Sequence, residues 1–154
     1  MLRSYRTYSD LDMEQILSIY KGAIGRDYPV KNPWDRSEII FLEDLRLFFR
    51  CTNASLFAWE HNGILVSALR LEPYKDGYLI SCLETPLTFR RKGFASHLLE
   101  AVLSTVQQPV YAHVSKNNIP SIKLHEKVGF TKYADNAVFI DGSVFSSYFT
   151  LIYK

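Results

Sequence analysis

Cysteine is scarce, with Cys51 and Cys82 alone among 154 residues, and no Cys or His pair stands at the short spacing of a zinc site or a disulfide framework. No metal is expected, and both thiols should be buried, Cys82 within a strand. Long apolar runs are missing too. Nothing approaches the roughly 18 uninterrupted apolar residues of a membrane span, and residues 1–9 lack the apolar stretch of a signal peptide. A cytoplasmic protein without a membrane partner is the expectation. Neither sign of charge is in excess: the formal net charge is +2, and the basic residues are scattered apart from Arg90, Arg91 and Lys92. That excludes a broad polyanion-binding face, so no nucleic-acid partner is expected and any basic site is local. The glycines form neither a three-glycine dinucleotide fingerprint nor the Gly-Lys-Ser/Thr of a nucleotidase phosphate loop, which disfavours both enzyme classes. No repeat or linker divides the chain, so residues 1–154 read as one domain.

What is present is an aromatic-rich apolar complement, 47% hydrophobic with ten Tyr and ten Phe, enough for a core that needs no covalent staple. A short strand over residues 4–8 leads to a helix capped by Ser9 or Asp10 and ending near residues 22–25. After a turn-rich stretch over 27–35, a second amphipathic helix covers 36–50. Asn62-Gly63 between two apolar runs predicts a hairpin of residues 55–60 and 64–71, and a third strand spans 78–85 until Pro86 stops it. Helical spacing resumes from Gly93 to Pro109, a buried strand follows over 110–114, and a short helix starts near Pro120 with Asn117 or Asn118 as its cap and Gly129 at its end. A last hairpin of residues 130–140 and 144–153 turns about Asp141-Gly142. The order predicts an α/β, three-layer fold: a central mixed, mostly antiparallel sheet flanked by about four helices.

The stretch over 83–96 carries the chemistry. It joins a strand to the longest helix and places the small residues Gly93 and Ala95 where that helix begins. A helix N-terminus offers free backbone N–H groups and a positive dipole end, which an anion approaches only where side chains are small. Arg90, Arg91 and Lys92 add charge and Ser96 a hydroxyl, so the stretch reads as a phosphate cradle, with a solvated basic turn as the alternative reading.

Arg90, Gly93 and Ala95 match the Arg/Gln-x-x-Gly-x-Gly/Ala signature of the GNAT superfamily of acyl-CoA N-acyltransferases, which the chain resembles. Downstream, Asn118, Ser121, His125, Gly129 and Phe130 are similar to the family's Asn-x-x-Ala/Ser-x-x-x-Tyr/His-x-x-x-Gly-Phe segment, in register with the first motif. The resemblance implies acetyl-CoA as co-substrate and acetyl transfer to a primary amine, of a small molecule or a peptide, within a ternary complex. It implies that the backbone of Leu83, Glu84 and Thr85 pairs with the pantetheine arm. The backbone from Arg91 through Lys92, Gly93, Phe94 and Ala95 to Ser96, with Arg90 beside it, would hold the diphosphate. Asn118, with Ser121 nearby, would bind the pantetheine. A monomer or a homodimer is expected. A GNAT-like module that binds acyl-CoA without turnover is the second reading.

Acyl transfer needs a deprotonated amine, a polarised carbonyl and an outlet for the thiolate. His125 stands where the family often carries a Tyr acid and is the candidate acid. Glu84 is the candidate base, with Glu60, Glu72, Tyr78 and Tyr148 as alternatives, or else it pairs with Arg90 or Lys92. Cys82 lacks the partners of a covalent nucleophile. Trp34 and Trp59 read as core residues.

Overall fold

The computed structural model describes residues 1–27 and 37–154, leaving aside the side chains of 25–27; Asp27, expected in the turn-rich stretch, is helical, and the rest of that stretch and Trp34 fall outside the described residues. In chain order the elements are β1 (Leu2–Tyr5), α1 (Met13–Asp27), α2 (Ser37–Phe48), β2 (Ser55–His61), β3 (Ile64–Tyr74) and β4 (Gly77–Glu84). Then come α3 (Phe94–Leu103), β5 (Val110–Ser115), α4 (Ile119–Val128), β6 (Thr131–Ala134), β7 (Ala137–Val138), β8 (Val144–Phe145) and β9 (Tyr148–Tyr153).

β3 is buried along most of its length rather than on alternate residues, because both faces of the sheet are covered. Seven strands run in the order β1-β2-β3-β4-β5-β9-β6. All neighbours are antiparallel except β4 and β5. On one face Ile16 and Ile19 of α1 and Leu45 of α2 pack against Leu56, Ala58 and Ala68. On the other, Leu98, Leu99 and Val102 of α3 pack against Phe57, Leu69 and Ala112. The predicted mixed, three-layer α/β architecture is the one observed.

Several boundaries move for local reasons. The first strand ends at Tyr5, and Asp10, read as a possible cap, instead accepts the Thr7 hydroxyl at 2.6 Å in a 3-10 turn. α1 starts later because Asp12 caps it, its carboxylate accepting the Gln15 N–H at 3.3 Å. α3 stops at Leu103, well short of Pro109. The hydroxyls of Ser104 and Thr105 donate to the carbonyls of Ala101 and Val102 at 2.7 Å each, where a continuing helix would take those acceptors. The last hairpin is not continuous. β6 pairs with β9, its register slips between Lys132 and Ala134, and the Thr150 hydroxyl donates to the Asn136 carbonyl at 3.0 Å; β7 and β8 then form a separate ribbon.

Between β4 and β5 the sheet opens into a fork. β4 and β5 pair only at Tyr78 with Val110, Leu79 with Tyr111 and Ile80 with Ala112, although both strands run on. The base of the fork is tight: a Cβ on Gly77 would stand 1.8 Å from the Pro109 carbonyl oxygen, so only glycine lets the strands converge there. Above it β4 bulges, with the register against β3 slipping between Ala68 and Arg70 and Cys82 at φ +52°.

The bulge corrects the reading of the cysteines. Cys82 is exposed at the mouth of the fork instead of buried in the core, and Cys51 is exposed in the turn that follows α2.

Candidate active site

Past Ile80, the β5 side of β4 carries no ladder partner, while its β3 side is held firmly. The Ser67 hydroxyl donates to the Glu84 carbonyl at 3.1 Å and meets the Thr85 hydroxyl at 2.8 Å. The Tyr20 hydroxyl, from α1, donates to the Cys82 carbonyl at 2.7 Å. Burial pushes the Tyr20 phenol far above its ordinary range, so it remains a protonated donor at neutral pH. Leu83, Glu84 and Thr85 thus lie along an exposed strand edge of the kind an amide-rich chain extends.

The Glu84 carboxylate is engaged. Arg90 Nη2 donates to its Oε1 at 2.8 Å while Arg90 Nε donates to the Thr85 carbonyl at 2.7 Å, so this arginine clamps the end of β4. Arg91 and Lys92 are exposed beyond it. Cys82 is open to solvent, yet enough protein surrounds its sulfur to push the thiol above its usual range, which keeps it protonated at neutral pH.

The turn before α3 is shaped for an anion. Arg91 at φ +62° and Gly93 at φ +82° flank Lys92, whose φ is negative, and such an alternation turns successive backbone N–H groups toward one concavity. Gly93 is the N-cap and supplies no side-chain acceptor, so the first-turn N–H groups of Phe94, Ala95 and Ser96 are uncapped from that position. A diphosphate fits this nest together with the helix dipole.

α4 sets the third wall. Asn118 caps it, Oδ1 accepting the Ser121 N–H at 3.3 Å, and Gly129 closes it at φ +117°. His125 is 3% exposed and stacks edge-on against Phe130 at 5.0 Å. Its Nδ1 lies 2.7 Å from the Ser121 carbonyl oxygen, which only accepts, so Nδ1 carries the proton and Nε2 presents a buried lone pair without a partner. Burial lowers the ring's pKa, so the neutral form prevails.

The opposite face of the fork holds Glu72 and Tyr148, two of the alternatives for the base, beside Arg70, Tyr74 and His113, which sequence patterning passed over. The pleat turns Arg70, Glu72 and Tyr74 toward the α1 and α2 side. Arg70 is 5% exposed, donates from Nη1 to Asp44 of α2 at 2.9 Å and lies over the rings of Phe41 and Phe48 at 5.7 and 5.2 Å. His113 is the first β5 residue past the fork; its Nδ1 is 2.9 Å from the Thr150 hydroxyl, and its ring is 4.8 Å from Phe139 and 5.4 Å from Tyr74. Tyr148 packs on Phe139 at 5.7 Å. A charged residue inside a strand buried on both faces was the available signal for Arg70; His113 had none.

Two of the alternatives for the base lie elsewhere: Glu60 pairs with Arg3 at 2.7 Å near the sheet's outer edge, and Tyr78 packs into the α3 face. A cavity of about 320 Å³ beside Tyr78, Arg6 and Gln108 opens at the other end of α3 and is no part of this site.

The model of the acetyltransferase (GNAT) family matches residues 13–130. No curated protein matches the sequence. Among solved structures, the PaiA N-acetyltransferase of Thermoplasma acidophilum in complex with coenzyme A superposes with a TM-score of 0.70 at 12% identity, covering 100% of this chain and 99% of that one. A ribosomal-protein-alanine N-acetyltransferase from Brucella melitensis gives 0.65 at 18% identity over 99% and 98% of the two chains. A GNAT-family acetyltransferase from Bacillus cereus gives 0.67 at 19% identity over 100% and 97%. At such identities these likenesses establish the fold, and the family match over most of the length adds the lineage: the chain belongs to the acetyltransferase (GNAT) family.

Proposed function

We propose that residues 1–154 form one acyltransferase domain that moves an acetyl group from acetyl-CoA directly to a primary amine, of a small molecule or a peptide, in a ternary complex. The observation that carries this reading is the fork between β4 and β5 with the N–H nest of Arg91 and Gly93 beyond it. A strand edge for the pantetheine amides and a cradle for the diphosphate belong to one ligand. Leu83, Glu84 and Thr85 supply the edge, residues 91–96 the cradle, and Asn118 and Ser121 the α4 side. Arg90 acts through the strand end, which it clamps by way of Glu84 and Thr85.

The exposed backbone at the bulge faces developing charge on the thioester oxygen, and direct attack by the amine needs no covalent enzyme intermediate. His125 enters this reading as an orienting acceptor, because donating from Nε2 would first require a charged ring that burial opposes. The departing thiolate then takes its proton from the attacking nitrogen or from water. Glu84 serves as base only if a bound substrate draws Arg90 away.

Thermal melts with acetyl-CoA and thiol release across a panel of amines test the proposal. Stabilisation with thiol release for at least one amine is expected. Stabilisation without release would identify a binding module instead, and no stabilisation would refute both.

A further inference from the structure

We propose that Glu72 receives the acceptor's ammonium group and takes its proton, and that the acceptor is accordingly an alkylamine that arrives as a cation. This rests on the acyl-transfer reading and adds to it the proton acceptor and the substrate class.

Among the described residues, three carboxylates border the fork on the α1 and α2 side. Glu84 is held by Arg90 at 2.8 Å and Asp44 by Arg70 at 2.9 Å. Glu72 is half-buried and makes no hydrogen bond or ion pair to any described residue. Arg70 shares its face one pleat away and acts on Glu72 through space, but its hydrogen bond runs from Nη1 to Asp44 and none reaches Glu72. Among the described residues, two carboxylates against one arginine leave a single negative charge uncompensated, and Glu72 carries it.

Placement puts that charge at the chemistry. Glu72 is the register partner of Leu79, and the fork opens immediately beyond Ile80. Strand spacing and rise separate the Cα atoms of Glu72 and Ser81 by about 9 Å. An extended glutamate reaches an amine seated at the mouth of the fork, directly or through one water. Among the described residues, the charged and titratable groups around it are Arg70 and Asp44 toward α2, Cys82 on β4, and Tyr74 and His113 toward β5. Burial holds the Glu72 carboxyl above the ordinary carboxylate range, which brings its basicity closer to the task. An aromatic wall of Tyr74, Phe139 and Tyr148 flanks the same face and suits an alkyl stem.

The step balances without a co-reactant. The ammonium gives one proton to the Glu72 carboxylate, and the free amine forms a C–N bond to the thioester carbonyl carbon. The C–S bond breaks, the thiolate takes the second proton from the attacking nitrogen, and Glu72 returns its proton to solvent.

The test compares Glu72→Gln and Glu72→Asp with the native chain, using a diamine, an α-amino acid and an arylamine as acceptors. Thiol release is followed against pH and acetyl-CoA affinity is measured by calorimetry. Glu72→Gln should lower kcat/KM for the diamine by about 100-fold or more. It should also replace the acidic limb set by Glu72 with a rate that climbs toward the amine's own pKa, and leave acetyl-CoA affinity unchanged, with partial recovery in Glu72→Asp. Arylamine turnover, which needs no prior deprotonation, should respond little. Native-like kcat/KM in Glu72→Gln, or a loss that tracks acetyl-CoA affinity, overturns the assignment. A native chain that prefers the arylamine overturns the cationic acceptor. A native chain that releases no thiol with any amine refutes acyl transfer itself and this proposal with it, so the two failures are distinguishable.

Discussion

Cys82 shows how one side chain fixes the shape of a strand. A non-glycine residue at φ +52° costs about 1–3 kcal/mol, and such strain persists only where neighbours impose it. Here the neighbour is Tyr20, buried at 2% exposure, whose hydroxyl holds the Cys82 carbonyl at 2.7 Å across 62 residues of chain. Removing the hydroxyl leaves a partly buried carbonyl unsatisfied, at a cost of about 1–3 kcal/mol. Tyr20→Phe is therefore expected to lower the melting temperature and, separately, to shrink the stabilisation that acetyl-CoA confers. Cys82→Gly in that background removes the penalty on positive φ and should restore the acetyl-CoA response. Melts of both variants with and without acetyl-CoA decide it: a full ligand response in Tyr20→Phe would make the bulge independent of this contact.

α3 illustrates why its start was readable and its end was not. Gly93 announces the N-terminus through its positive φ, and the run of Leu98, Leu99, Val102 and Leu103 buries one face. Apolar spacing continues to Val106, but hydroxyl back-bonds from Ser104 and Thr105 unwind the last turn, a competition that spacing does not register. A Cβ on Gly93 would meet only the His97 ring at an ordinary 3.7 Å, so the cost of Gly93→Ala lies in the backbone, about 1–2 kcal/mol for the left-handed conformation. Relief of that strain turns the N–H groups out of the nest. Gly93→Ala should bind acetyl-CoA more weakly by calorimetry while keeping the native circular dichroism spectrum; an unchanged affinity would remove this turn from the diphosphate site.

Stability and activity pull against each other at Glu72. Its folded-state carboxyl titrates above the unfolded one, so its contribution to stability is fully present below the unfolded pKa and is lost as pH rises through the folded value. Glu72→Gln should therefore melt higher than the native chain at neutral pH, with the difference fading once the pH falls below the ordinary carboxylate range. Melting curves across that window check the sign, and an equal melting temperature at neutral pH would contradict it. Much of this architecture was open to reading from one dimension. The Asn62-Gly63 turn, Pro86 as a stop, Asn118 as a cap and the small residues at 93 and 95 act through local backbone physics, so the order of elements along the chain, the starts of α3 and α4 and the turn at Arg91 to Gly93 follow from the residues themselves. The fork does not. It depends on Gly77 meeting Pro109, on Tyr20 holding Cys82 and on Ser67 holding Glu84, contacts between residues far apart in the chain. Whether a carboxylate is engaged or available is decided the same way: Arg90 takes Glu84 and Arg70 takes Asp44, and the packing of β3 against α2 leaves Glu72 with its charge unmatched among the described residues.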